Sequence, residues 1–146
     1  MTAVQPPVAA HRSPAPLGAL RQLMLADAVF TGVAGIALLL AADPVADEAG
    51  LSTSGPLLAI GAVFVVLAAI VAALSRARED SLVRLVPLNG AGDLVWAAAS
   101  VIVALSADLS GAGRAMVLVQ AVAVLAIGEA KLVLPRRVRA STKITG

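Results

Sequence analysis

The chain has no cysteine. A disulfide, a thiolate nucleophile and a Cys-ligated metal are therefore excluded. Its single histidine, His11, stands in a polar N-terminal tail, so a haem or metal held elsewhere lacks both usual ligand types, imidazole and thiolate. Ser54, Ser75 and Ser106 have no histidine partner for activation. Aromatic residues make up only 2% of the chain, with Phe30, Phe64 and Trp96 present and no tyrosine. That leaves few ring faces against which a cation can be held. Charge is also scarce, at 14% of residues, where soluble domains carry about 25%. No cofactor, metal or enzymatic activity is expected from this inventory.

What fills the 146 residues is Ala, Val and Leu. Hydrophobic residues make up 60% and the mean hydropathy is +0.95, which displaces the chain toward a lipid solvent. The net charge is +2, but the basic residues flank apolar runs, a placement suited to anionic lipid headgroups and not to nucleic acid.

Four apolar segments have the roughly 20 residues that a helix needs to cross about 30 Å of hydrocarbon. They run over about 17–42, ending at Asp43-Pro44; 56–74, opened by Ser54-Gly55-Pro56; 82–105; and 112–134, closed by Pro135. Ser54 suits an N-cap and Pro56 a first helical turn. Pro87 falls in the first turns of the third span, where its missing N–H matters least. The first segment is too long for the core of a signal peptide and contains Asp27, so it reads as a retained helix. The runs lack the alternation of a membrane barrel. The expected fold is all-α, a four-helix transmembrane bundle with up-down-up-down topology over residues 17–137. It is preceded by a proline-rich disordered tail over 1–16 and followed by a basic tail over 138–146.

Lysine and arginine positions set the orientation. Arg12, Arg21, Arg76, Arg78, Arg84, Lys131, Arg136, Arg137, Arg139 and Lys143 fall on one side, and only Arg114 on the other. Both termini are therefore expected in the cytoplasm, in a bacterial inner membrane.

Asp27, Asn89, Asp93, Gln120 and Glu129 lie inside the apolar runs. A charge at the bilayer centre costs from about 2.5 to above 10 kcal/mol, so such groups face a bundle interior or water. Asn89, Asp93, Trp96 and Ser100 recur at one helical face, and Asp27 shares a face with Thr31 beside the small residues Ala28, Gly32 and Gly35. No base stands three or four residues from Asp27 or Asp93, so a partner must come from another helix. Arg21, Arg84 and Lys131 are the candidates, unless they snorkel to the headgroups. Glu129 reads as an interface-level residue beside Lys131, and Trp96 as a packing residue whose N–H is bonded. Asp27, Asp93 and Glu129, with Asn89 and Gln120, could form a proton, cation or cationic-ligand site. The plainer reading is hydrogen bonding that fixes the bundle.

Asp27-Ala28-Val29-Phe30 and Asp93-Leu94-Val95-Trp96 form an Asp-x-Val-aromatic pair on helices of like direction, consistent with a duplicated hairpin. These motifs, with Arg21, Gly32 and Gly35 in the first span and Gln120 and Glu129 in the fourth, resemble a group of small, uncharacterised bacterial four-helix integral membrane proteins. The resemblance covers about Leu17 to Arg137. In that group the third-span motif is usually Asn-x-x-Trp, and here Asp93 stands in place of the Asn. The resemblance implies the fold and no activity. The leading expectation is a non-enzymatic accessory or structural subunit, with the lipid bilayer and a second copy or a partner membrane protein as its partners. The runner-up is a small proton-coupled transporter or ion pathway using intramembrane carboxylates. A membrane enzyme with two carboxyl groups as acid and base ranks last.

Overall fold

A computed structural model describes the backbone of residues 15–143 and the side chains of 17–136. The tail containing His11 lies outside these residues. Five helices make up the fold: α1 (Ala15–Leu40), α2 (Ala42–Ala49), α3 (Gly55–Ser75), α4 (Glu79–Ser106) and α5 (Gly111–Lys143). Among the described residues there is no strand. α1, α3, α4 and α5 are each long and apolar enough to cross a membrane, as the sequence predicts. No more than 22% of any of their apolar windows is buried within the chain. Outward-facing Val33, Leu40, Leu88, Val95, Leu105, Val119 and Val122 are each over 60% exposed, an apolar surface too extensive for water.

The boundaries differ from expectation where proline acts. α1 stops at Leu40 and not at residue 42, because Pro44 has no N–H for the Leu40 carbonyl and its ring crowds that oxygen. The chain turns at Ala41 and re-enters a short helix, α2, that the pattern of apolar spans does not predict. Gly50, with φ 76°, caps α2 through its N–H to Ala46 and Asp47 carbonyls. α2 then lies over the start of α5. Ser110 donates its N–H to the Ala49 carbonyl and its hydroxyl to the Glu48 carbonyl, and its Oγ accepts the Gly113 N–H at 2.9 Å.

Ser54 precedes α3 without a side-chain capping bond. Thr53 Oγ1 accepts from the Gly55 N–H instead. α4 begins at Glu79, so Pro87 lies in the helix interior rather than in its first turns. Pro135 does not end the last helix. α5 continues to Lys143, with Pro135 fully buried inside it. A proline can bend a helix without stopping it when the neighbours hold the bend, and Arg136-Arg137-Val138-Arg139 contains good helix formers.

The packing is two antiparallel pairs, α1 with α3 and α4 with α5, joined mainly through α1 and α5. Glycine makes each pair close. A Cβ on Gly35 would stand 2.8 Å from the Gly61 carbonyl oxygen, and one on Gly128 would stand 3.1 Å from the Gly90 carbonyl oxygen. Only the missing side chains let these backbones touch. A core of Leu20, Met24, Ala28, Val71, Leu82 and Val86 fills the end of the bundle nearest the termini and the α3–α4 turn. Arg21 secures that end by donating to the Ala77 carbonyl at 3.0 Å.

Candidate functional site

Lys131 is completely buried. Its stem enters from α5 one turn after Gly128 and lies against Gly90 of α4, where a Cβ would meet Lys131 Cβ at 2.8 Å. Glycine at position 90 is thus what admits a lysine here. The ammonium makes three bonds: 2.5 Å to Asp27 Oδ2 on α1, 2.6 Å to Asn89 Oδ1 and 2.7 Å to Asp93 Oδ2 on α4. An ammonium has three donors, so its capacity is filled. Asn89 and Asp93 reach one point because they are four residues apart on one helical face.

The groups are unequal in number. Two carboxyl groups face one ammonium, so with both ionised the cluster would carry one excess negative charge. The core of Leu20, Met24, Leu82 and Val86 lies one to two turns away on the terminal side and covers the cluster from that direction. Beside the cluster, between α3 and α4, runs a lateral cleft of about 740 Å³ that reaches from Phe64 and Trp96 to Val71 and Leu74 at the terminal end. Those two helices are joined by a short turn yet make little contact. Asp27, Thr31, Asn89 and Asp93 form most of the polar part of the cleft, and Phe30, Phe64 and Trp96 stand along its walls. Phe64 and Trp96 meet edge to face, with ring centroids 5.1 Å apart and planes at 63°.

The structure therefore brings together Asp27, Asn89 and Asp93 from the expected set. Gln120 lines the same cleft further along, where its Oε1 accepts from the Ser100 hydroxyl at 3.4 Å. Glu129 is exposed and belongs to neither group. The reason is angular: Glu129 and Lys131 are two residues apart, about 200° around a helix. The expected bond of the Trp96 N–H is absent. Trp96 Nε1 and Gln120 Nε2 are buried without a hydrogen-bond partner among the described residues.

Lys131 is the centre of the cluster, and sequence reasoning reached it only as one of three candidate partners. A signal was present, since Gln120, Gly128 and Lys131 share a face at spacings of eight and three. Arg21 bonds the turn and Arg84 is exposed, so neither partners the acids. Among the described residues no group of three or more His, Asp or Glu side chains is arranged to hold a metal. No protein-family model, curated protein or solved structure matches the chain.

Proposed function

We propose that this chain is a non-enzymatic integral membrane protein of the bacterial inner membrane, an accessory or structural subunit with both termini in the cytoplasm. The observation that carries the reading is the three-way bond of Lys131, which ties α5 to α1 and α4 through acceptors on both helices. One oxygen of each acid is engaged internally, and the ammonium has no donor left for a substrate. The apolar core packs against the cluster on its terminal side, which suits a clasp. The ten-to-one bias of basic residues supports the orientation. Its partners are the bilayer and a second copy or another membrane protein, met through the apolar outer faces.

A second reading, a proton or ion pathway, draws on the surplus carboxyl facing the cleft. Reconstitution into proteoliposomes separates the two. With structural acids, Asp27→Asn and Asp93→Asn shift thermal stability, and neither wild type nor variant shows a pH-gradient-driven flux. A flux that each acid-to-amide change abolishes, with the fold intact, overturns the structural reading.

A further inference from the structure

We infer that the lateral cleft between α3 and α4 binds an organic monocation with an apolar body, its charge beside Asp93 and its body against Phe30, Phe64 and Trp96. The inference goes beyond the structural role of the cluster and does not depend on it.

The electrostatics come first. The cluster has one carboxyl more than it has ammonium groups. In a medium of low dielectric that surplus group is neutralised either by a proton or by a cation held beside it, and a cation attracts its charged form strongly. Lys131 cannot be that cation, since its donors are spent and its side chain has no exposed surface. Of the two acids, Asp93 is the more open, with its side chain 18% exposed against 8% for Asp27. The Lys131 bonds use Oδ2 of each carboxylate, leaving Oδ1 of Asp93 for a ligand.

The walls point the same way. The chain has three aromatic residues in all, and all three line this one cleft. Ring faces attract cations through their quadrupole, most strongly where water is excluded. No lysine or arginine is among the lining residues. Trp96 Nε1 and Gln120 Nε2 are sealed from its surface, and the donors left in the lining, the Asn89 amide and the Thr31 hydroxyl, are neutral, so the cleft offers an anion no positive charge. Its volume of about 740 Å³ falls within the range of small-molecule pockets. An acyl chain of a lipid could fill the space, but it would leave the surplus carboxyl without a cation.

The protein carries its own reporter, because Trp96 is its only tryptophan and it has no tyrosine. The full chain is placed in phosphatidylcholine vesicles at a low protein-to-lipid ratio, with no other protein present, and titrated with benzyltrimethylammonium while Trp96 emission is followed. We expect a saturable change in emission. Neopentylbenzene, the uncharged carbon isostere, should give none at equal concentration in the membrane. Asp93→Asn keeps an acceptor for Lys131 and removes the surplus carboxyl, and should weaken binding on the order of tenfold or more. Phe30→Leu, at the half-exposed rim, should weaken it about threefold. A saturable response to the neutral isostere equal to that for the cation overturns the inference and makes the cleft an apolar groove for lipid or a neighbouring helix. So does a wild-type response to the cation that never saturates, or unchanged affinity in a folded Asp93→Asn protein. The comparison of cation with isostere uses the wild-type chain alone, so it holds even if a variant does not fold.

Discussion

A buried ammonium loses hydration worth several kcal/mol even after relaxation, and strong, well-placed acceptors are what offset that loss. Lys131 has three, at 2.5–2.7 Å, two of them carboxyl oxygens, which when ionised bond more strongly than neutral acceptors. The local sequence makes this possible at little steric cost. Gly90 leaves room for the lysine stem, and Gly128 leaves room for Asp93, whose Cβ would stand 2.9 Å from a Cβ on residue 128. The same lysine two positions away would occupy the face now held by exposed Glu129. Position on the helix, more than residue type, decides which charge is inside. A lysine near the end of an apolar span is equally compatible with snorkelling, so the residues facing it were needed to choose, and those lie on another helix. Asp27, Asn89 and Asp93 were legible because a carboxyl or amide in an apolar run has few places to go.

The helices divide into what periodicity and length determine and what neighbours determine. Four apolar spans and the absence of barrel-like alternation follow from composition along the chain, and the structure has all four. The three interior prolines behave differently for reasons outside their own segments. Pro44 ends α1 because the chain there can turn into α2, whereas Pro87 and Pro135 lie inside helices that continue. Pro135 is also wholly buried, so its neighbours pack closely around the position where the helix lacks an N–H.

Glycine governs the helix pairs. Adding one methyl at Gly35 forces contact with Gly61, Phe64 and Val65, all at 3.0 Å or less, while Gly18 has nothing within 4 Å. In detergent micelles, Gly35→Ala should lower unfolding stability by about 1–3 kcal/mol. Gly18→Ala should be neutral or stabilising by up to about 1 kcal/mol. Equal effects at the two positions would remove the case for a glycine-dependent α1–α3 contact. The crossing glycines also bear on the Asp-x-Val-aromatic pair. Gly35 follows Asp27 by eight residues, but Gly90 precedes Asp93 by three. The two hairpins thus cross at different levels relative to their aspartates, which a simple duplication does not explain.

At the scale of the molecule, two glycine-packed hairpins meet chiefly through α1 and α5. The connection has two parts, an apolar core at the terminal end and the Lys131 cluster beside it. The outer surface is apolar along all four spans, so the bilayer supplies little force to bring the hairpins together and packing and polar contacts must do so. The proposed orientation has a direct check. A reporter active only outside the cytoplasm should be silent when fused at Gly146 and active when inserted near Gly50 or Gly111; activity at Gly146 would reverse the assignment. The central claim, that the buried ion cluster joins the hairpins, is tested most directly by a double-mutant cycle of Asp27→Asn and Lys131→Met, read as unfolding free energy in detergent micelles. Lys131→Met alone should cost about 3–5 kcal/mol, because it leaves buried carboxylates without their counter-charge. The double variant should cost less than the sum of the singles by about 1–3 kcal/mol, and additivity within about 0.5 kcal/mol would contradict a coupled Asp27–Lys131 clasp.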